Sequence, residues 1–539
     1  MKKVKGKKEI KKNGSLYIWI LIVWGTLSAF GLVAFINTIL QNRAMHVSVW
    51  TIILLIVNTI FILYFWLNGT KDIVYIFFYQ FKYKKMQRQE LKVLETELLP
   101  KYKDARVLLL YCTCNDFIEE SLFASMNQKY SNYKTVILDD SSENQYKERI
   151  DNFAQLHSIE VIRRENRKGY KAGNLNNYLV GREDYDFFVI LDSDEIIPEH
   201  FIAKALQYFS YYPEVGLLQA NHISTRNRTK FMERFSVGVD AHWPTYQAMK
   251  ERYGFMSFLG HGAMISRECF ESVERFPHLV AEDLCFSIEA KIKGYFTAFS
   301  TFIVCEEEYP VDYFAFKKRH LKWTGGNLEF ISNYAKKLFY SKNLRWFEKL
   351  DVVLFTFSLP MSTVFFLFLI INLILLPLLG VSAGYPLWLM TPTIIFLYAP
   401  TINDMVYLLG RYPFFKSMGY LFSAFLLYGS LYWISFYGAT KAWIGIKPKF
   451  IVTPKENRQY SLVEIINGNI QEILFSLGLM VLSVWFTKSL LPVILIVLPS
   501  LSGIYLTSLC KEKKLDKNTG DKEEENRSMN TEEFEEGIG

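Results

Sequence analysis

Acidic side chains follow two strand-like runs of this sequence at the point where each run ends. Asp139 and Asp140 follow one apolar run, and Asp192 and Asp194 follow another. Ligands of largely parallel sheets bind beyond the carboxyl ends of the strands, so we expect both acidic pairs to face one crevice. Carboxylates there are suited to holding a hard divalent cation or to moving protons. An Asp-x-Asp standing alone would be interpreted as a strand-end turn, so other motifs must decide.

Further segments carry side chains suited to binding or proton transfer. Glu282 and Asp283 open an apparent helix, where acidic residues are favoured in any case, and the same carboxylates can accept protons. His261, between two glycines, is either a binding residue or a histidine satisfied by the backbone. The full set of segments is Lys171-Ala172-Gly173-Asn174-Leu175-Asn176, Phe258–Gly262, Ala281-Glu282-Asp283, Arg319-His320-Leu321-Lys322-Trp323 and Phe450-Ile451-Val452-Thr453-Pro454-Lys455.

Most of these segments lie in a mixed central region, residues 100–345. Apolar runs of strand length alternate there with polar stretches of helical length. The runs cover residues 107–111, 135–138, 160–162, 187–191 and 215–219. This alternation predicts an α/β domain with a largely parallel sheet.

Apolar blocks flank the central region. Residues 16–40 and 47–70 carry no charged side chain, and each supplies the roughly 20 residues needed to cross a membrane. They predict a transmembrane hairpin rather than a cleaved signal peptide, whose apolar run would be shorter. Lysines crowd the first twelve residues, which keeps the N-terminus cytosolic by the positive-inside tendency.

The second half of the chain predicts further membrane segments. Residues 411–446 are apolar but bracketed by basic residues, and counting them as a crossing would put their lysine-rich exit and the C-terminus outside. We therefore expect an interfacial or re-entrant element there. The predicted division is 1–15 basic cytosolic N-terminus, 16–70 transmembrane hairpin, 71–99 interfacial or linker helix, 100–345 α/β domain, 346–410 two transmembrane helices, 411–446 interfacial element, 447–460 loop, 461–510 two transmembrane helices, and 511–539 disordered cytosolic tail.

Charge and cysteine usage exclude some classes of protein. The formal net charge of +7 lies largely beside the membrane segments, which indicates anionic lipid headgroups rather than nucleic acid as the partner. The six cysteines lie mostly in predicted cytosol, where disulfides are disfavoured. Cys112-x-Cys114 is not interpreted as a zinc site, because no second pair follows at the required spacing.

Residues 100–455 resemble the membrane-integrated processive family-2 glycosyltransferases of the cellulose, hyaluronan and poly-N-acetylglucosamine synthase type. Several motifs stand in that family's order: the acidic pair 139–140, Lys-Ala-Gly-Asn-Leu-Asn at 171–176, Asp-x-Asp at 192–194, and Ala281-Glu282-Asp283 where Thr-Glu-Asp is usual. The resemblance implies a cytosolic α/β domain of GT-A type, inserted between about 2 + 4 transmembrane helices with interfacial helices.

The resemblance also implies roles on the donor side. Asp194 would be the ligand of a Mg²⁺ or Mn²⁺ ion, whose charge offsets that of the departing diphosphate. The remaining residues that would bind the uridine diphosphate sugar are Thr113, Asp139, Asp140, Lys171, Asp192, His320, Lys322, Thr453 and Lys455.

On the acceptor side, the resemblance makes Asp283 the general base that deprotonates the attacking hydroxyl, which inverts an α-linked donor to a β-linked product. The acceptor would be bound by His261, Glu282, Arg319 and Trp323. The family's Gln-x-x-Arg-Trp signature appears here with Arg319 and Lys322 in the two polar positions, while Trp323 keeps the aromatic platform for a sugar ring. These departures bear on which linkage is made.

Phe450–Lys455 matches the Phe-x-Val-Thr-x-Lys gating loop of cellulose synthases, which favours glucose as the unit. The sequence therefore predicts a processive inverting enzyme that polymerises UDP-glucose into a β-glucan, for an exopolysaccharide or capsule, and moves it across the plasma membrane. Its partners would be the nucleotide-sugar, the growing polysaccharide and lipids, with both termini and the catalytic domain cytosolic. The alternatives are an N-acetylglucosamine-using or hyaluronan-like synthase, and a membrane transporter or receptor with an inactive transferase domain.

Overall fold

The computed structural model describes residues 12–44, 48–224, 229–381, 387–446 and 458–510. The segment Phe450–Lys455, with Thr453 and Lys455, lies outside these described residues. The same holds for most of the basic N-terminus and for the acidic tail.

A seven-stranded mixed sheet forms the centre of the chain, with the strand order β3-β2-β1-β4-β6-β5-β7. The strands are β1 (Val107–Thr113), β2 (Tyr133–Asp139), β3 (Glu160–Arg163), β4 (Phe187–Leu191), β5 (Val215–Ser224), β6 (Ala263–Ser266) and β7 (Phe296–Glu307). β6 pairs antiparallel with β4 and β5, and the other pairs are parallel. The predicted α/β class and its predicted strands are confirmed.

Helices cover both faces of the sheet, because β1, β4 and β6 are buried along nearly their whole length and offer apolar side chains on each side. One core packs Leu109, Val189 and Leu206, and the opposite core packs Leu110, Ile190 and Phe286. The helices of this layer are α3 (Pro100–Lys103), α4 (Glu119–Met126), α5 (Asn144–His157), α6 (Tyr170–Leu179), α7 (Phe201–Tyr211), α10 (Arg267–Val273) and α11 (Glu282–Ile292).

The remaining helices precede the sheet in the chain, lie between its strands or follow it. Before it come α1 (Ser15–Ala44) and α2 (Val49–Leu94), and α8 (Lys230–His242) and α9 (Ala248–Tyr253) lie between β5 and β6. After the sheet come α12 (Tyr313–Tyr340), α13 (Trp346–Thr356), α14 (Met361–Ile370), α15 (Leu376–Leu378), α16 (Met390–Leu397), α17 (Ala399–Leu409), α18 (Phe414–Ser430), α19 (Tyr432–Trp443), α20 (Leu462–Gly468), α21 (Ile470–Thr487), α22 (Ile494–Leu501) and α23 (Gly503–Ser508).

Five helical segments are long and apolar enough to cross a membrane, judged by length and composition within the described residues. They are Ser15–Thr38, Val49–Leu94, Met361–Leu378, Phe414–Trp443 and Ile470–Thr487, and Ile494–Ser508 is a shorter apolar helix. Phe414–Trp443, expected to be interfacial or re-entrant, is therefore also long enough to cross. Which of these segments cross a membrane, and in which direction, stays a prediction.

Candidate active site

Two arginines at the end of β3 hold the acidic residues at the end of β2. Asp139 receives a 2.6 Å hydrogen bond from Arg163 Nε, and its other oxygen accepts from the amide of Ser141. Asp140 receives two hydrogen bonds from Arg164, at 2.8 and 2.6 Å. The adjacent strands β2 and β3 bring these groups together, because Asp139 lies beside Arg163 in the parallel register.

Lys171 lies on the first turn of α6 and pairs with Asp192, directly after β4. Its ammonium also donates a 2.9 Å hydrogen bond to the carbonyl oxygen of Gly260. Burial disfavours the ammonium, but the Asp192 carboxylate outweighs that effect and raises the pKa of Lys171 above its ordinary value. Three segments that are distant in sequence therefore meet at this one cation.

Asp194, the second acid of the Asp-x-Asp, is almost fully buried. Its Oδ2 accepts a 3.1 Å hydrogen bond from the backbone amide of Glu308, which follows β7. The turn before it is tied down by Asp116, which accepts hydrogen bonds from Ser193 Oγ and Thr113 Oγ1, at 2.8 and 2.9 Å. Asp116 was not predicted from the sequence, and its position three residues after Thr113 in an irregular segment gives little signal.

Glu282 and Asp283 open α11, as the sequence predicted. Asp283 Oδ1 accepts a 2.7 Å hydrogen bond from the amide of Leu284. Burial raises the pKa of both carboxyl groups, and the charge of Asp283 raises that of Glu282 further. A carboxylate with a raised pKa is a stronger base, so Asp283 is suited to take a proton from a hydroxyl near neutral pH.

A buried carboxylate that the sequence did not predict lies beside His261. Glu195 Oε1 contacts His222 Nε2 and Glu195 Oε2 contacts His261 Nδ1, each at 2.8 Å. Burial alone would raise the pKa of Glu195, but the two imidazoles hold it at about 2. Burial opposes protonation of His261, but Glu195 and then Asp192 raise its pKa to about 10. The position of Glu195 directly after Asp194 was the one available signal.

Gly262 follows His261 and is required at this point for two reasons. Its φ is +57°, and a Cβ there would lie 2.3 Å from both Glu195 Oε1 and His222 Nε2. Gln219 on β5 holds the turn from behind, because its Nε2 donates to the carbonyl oxygen of His261 and its Oε1 accepts from the amide of Leu259. The turn that carries His261 is therefore fixed on both sides.

Helix α12 carries four of the predicted residues, Arg319, His320, Lys322 and Trp323. The guanidinium of Arg319 lies 4.6 Å from the ring centroid of Trp323, and Arg319 Nε is buried with no hydrogen-bond partner among the described residues. Trp323 is 45% exposed, so its ring is available for stacking. His320 is buried and pairs with Ser435 on α19, and burial lowers its pKa to about 4. The imidazole of His320 thus takes part in the contact between α12 and α19. Its donor-binding role remains a prediction.

One cavity of about 1190 Å³ joins most of these groups. At the sheet edge it is lined by Asp140, Lys171, Asp192, Asp194, His261, Glu282, Asp283, Arg319, His320, Lys322 and Trp323. It continues between the apolar helices to Phe365, Thr393 and Tyr432. Thr113 also lines this cavity, whereas the Asp139 carboxylate lies behind it against Arg163.

Residues 187–446 match the sequence model of the family described as "Glycosyl transferase family group 2". This part of the chain is therefore similar to family-2 glycosyltransferases. This match confirms the family-2 part of the resemblance, and with the mixed sheet it supports the GT-A-like assignment. The match begins at β4, so it contains Asp192, Asp194, Asp283 and Trp323.

The relatives of this domain include two proteins from Arabidopsis thaliana. "Probable glucomannan 4-beta-mannosyltransferase 15" is 24% identical over 41% of this chain, and "Probable glucomannan 4-beta-mannosyltransferase 1" is 22% identical over 45%. The matches span 42% and 45% of those proteins, less than half the length of either relative. Among solved structures, the mannosyltransferase PcManGT from Pyrobaculum calidifontis, in complex with GDP-Man and Mn²⁺, is similar at 17% identity and a TM-score of 0.39, over 71% of this chain and 98% of that one.

Proposed function

We propose that this protein is a membrane-embedded inverting hexosyltransferase that extends a β-linked polysaccharide from a nucleotide-sugar. One observation carries the proposal: the acidic Asp-x-Asp, the half-buried pair Glu282 and Asp283, and the exposed ring of Trp323 line the same cavity. A donor-binding carboxylate, a base and a sugar platform are what such a transfer needs.

In this proposal Asp283 takes the proton of the acceptor hydroxyl. The hydroxyl oxygen then attacks the anomeric carbon in line, the bond from that carbon to the diphosphate oxygen breaks, and the nucleoside diphosphate leaves. The raised pKa of Asp283 supports this role, because it brings the base nearer to the pH at which the enzyme works. Lys171 keeps Asp192 in position, and Lys322 supplies a second cation at the cavity wall.

A divalent cation fits the donor side. Asp192 and Asp194 offer only carboxylate oxygens to the cavity, which is the donor set that Mg²⁺ and Mn²⁺ prefer. Asp194 would hold the ion, since Asp192 is already paired with Lys171. When bound, the ion would offset the charge of the diphosphate leaving group.

The cavity that continues between the apolar helices supports a second part of the proposal, movement of the polymer across the plasma membrane. A glycan's hydroxyl groups need polar or aromatic partners inside the membrane. Thr393 and Tyr432 on the helical wall offer such partners. The catalytic domain and both termini would then be cytosolic, as the basic N-terminus predicts.

For the sugar, we propose UDP-glucose as the donor, on the strength of the gating-loop motif Phe450–Lys455. A second candidate is a β-mannosyl unit from a nucleotide-mannose, which the names of the Arabidopsis relatives favour. Because the buried polar groups of a site reject a wrong hydroxyl configuration, one donor should dominate.

A donor panel tests the proposal. Purified protein in nanodiscs is given radiolabelled UDP-glucose, UDP-N-acetylglucosamine, UDP-glucuronic acid with UDP-N-acetylglucosamine, or GDP-mannose, and the product is analysed for sugar and linkage. We expect polymer from UDP-glucose, whereas polymer from GDP-mannose alone would establish the mannosyl alternative. Neither polymer nor donor hydrolysis with any donor would favour an inactive transferase domain in a transporter or receptor.

A further inference from the structure

Helix α2 joins an apolar segment to the catalytic domain without a break. It has 46 residues, and its apolar first half is long enough to cross a membrane. Its last turns reach α7 and β7, where Glu90 lies half-buried. The side chain at this junction therefore links a candidate membrane helix directly to the central sheet.

The Glu90 carboxylate accepts an unusual number of hydrogen bonds. Its Oε1 accepts from Tyr208 on α7 at 2.7 Å, from Ser300 Oγ at 2.7 Å, from the Thr301 amide at 2.7 Å and from the Phe302 amide at 3.3 Å. Its Oε2 accepts from the Thr301 hydroxyl at 2.5 Å. Five hydrogen bonds to one carboxylate restrain all of these partners relative to one another.

These donors belong to an interruption in β7. Ala220 of β5 pairs with Ser300, but the next residue, Asn221, pairs with Val304, so residues 301–303 have no partner on β5. Such a bulge frees backbone amides that must find other acceptors. Glu90 accepts two of them, and Ser300 Oγ accepts the third, from Ile303, at 3.0 Å. Every amide of the bulge is thus satisfied through Glu90 or through a side chain that Glu90 holds.

The part of β7 that follows the bulge supports the metal-site carboxylate. Glu306 exchanges two backbone hydrogen bonds with Ile196, at 2.9 and 2.8 Å. Two residues later, the amide of Glu308 donates to Asp194 Oδ2. The position of the Glu308 amide beside Asp194 therefore depends on the course of the chain through the bulge and the last part of β7.

We propose that Glu90 is a positioning residue that sets the geometry of Asp194 from the membrane-helix side, through the bulge in β7. The inference rests on the proposed function in one respect, that Asp194 holds a divalent cation. It adds that the cation affinity depends on a residue of α2 that lines no part of the catalytic cavity.

The test measures Mn²⁺ binding by the full-length protein in nanodiscs, using the electron paramagnetic resonance signal of the free ion. Glu90→Ala removes every acceptor, so we expect the Kd for Mn²⁺ to rise about tenfold, the lower end of the range for partners that hydrogen-bond a metal ligand directly, because Glu90 acts on Asp194 only through β7. Glu90→Gln keeps Oε1 and its four donors, while the Thr301 hydroxyl can turn to accept from the new amide. It should therefore stay within about twofold of the wild type.

Glu95→Gln is the matched control, since Glu95 is an exposed carboxylate at the end of the same helix. It should leave the Kd for Mn²⁺ unchanged. If Glu90→Ala does not fold, Ser300→Ala replaces it, because Ser300 bridges Glu90 to the Ile303 amide. A Kd within twofold of the wild type for folded Glu90→Ala, or for Ser300→Ala in its place, would overturn the inference, as would a wild type that binds no Mn²⁺.

The outcome is separable from that of the proposed function. A wild type that binds Mn²⁺ but makes no polymer from any donor would remove the proposed function and leave the comparison of Glu90 variants valid. Polymer synthesis by the wild type, with Mn²⁺ affinity unaffected in Glu90→Ala, would keep the function and remove the role of Glu90.

Discussion

Lys171 donates a 2.9 Å hydrogen bond to the carbonyl oxygen of Gly260, and this contact connects the donor side of the site to its base. Gly260 has a φ of +98°, and a Cβ built on it would lie 3.8 Å from Asp283 Oδ2. The same ammonium pairs with Asp192. One cation therefore holds both the Asp-x-Asp and the turn that borders Asp283.

Lys171→Met should accordingly affect both donor binding and the rate of transfer. Methionine keeps the length of the side chain but leaves Asp192 and the Gly260 carbonyl oxygen without their partner. We expect a higher KM for the donor together with a kcat lowered by about tenfold or more. Steady-state kinetics check this, with the exposed Lys168→Met as control; a change confined to KM would mean that Lys171 acts on the donor alone.

Two glycine substitutions separate backbone strain from steric conflict. Gly262→Ala adds both, because a Cβ there would lie 2.3 Å from Glu195 Oε1. Gly181 has a φ of +78° but no atom within 4 Å of the added Cβ, so Gly181→Ala adds strain alone, about 1–2 kcal/mol. Thermal unfolding and transfer assays should find lost activity only for Gly262→Ala. Equal loss in both variants would show that strain suffices.

A pH profile tests the environment of the base. Burial raises the pKa of Asp283, and the Leu284 amide and then the Lys322 ammonium partly oppose that rise. Because the base must be deprotonated to act, kcat should fall as pH drops through this raised pKa, above the ordinary value of about 3.9 for Asp. Lys322→Gln removes an opposing cation, so the acid limb should move to higher pH. An acid limb that moved to lower pH would contradict this assignment.

The loop motif supplies a prediction outside the described residues. Thr453 and Lys455 would meet diphosphate oxygens when the loop inserts, so replacing both by Ala should slow polymer synthesis at least tenfold, or about 1.4 kcal/mol of transition-state stabilisation. Membrane insertion and the thermal stability of the protein without donor should stay normal. Unchanged turnover and donor dependence in the double variant would make the segment a passive linker and weaken the case for glucose.

The α/β class and the acidic residues at the strand ends could be predicted because both depend on patterns within short stretches of sequence. Strands β1, β2, β4 and β5 each have at least five residues and contain apolar runs, whereas β7 is broken by its bulge and did not stand out. Strand β6 has four residues and was missed, although β3, which is equally short, was predicted. Asp283 and Asp194 could be singled out because each belongs to a compact motif, and the structure places both on one cavity, while their roles stay predictions. Glu195, His222 and Asp116 were not, because their roles arise only when distant strands and turns meet. Arg163 and Arg164 likewise acquire their acidic partners through the pairing of β2 with β3.

The general base is the central element of this account, and Asp283→Asn tests it most directly. The amide keeps the size of the side chain but cannot accept the hydroxyl proton, so polymer synthesis should fall by at least ~10²-fold, the loss expected for a general base. Donor affinity, measured on the same preparation by equilibrium dialysis of the radiolabelled nucleotide-sugar, should stay close to that of the wild type. An Asp283→Asn protein that kept more than about a tenth of the wild-type transfer rate would contradict the account.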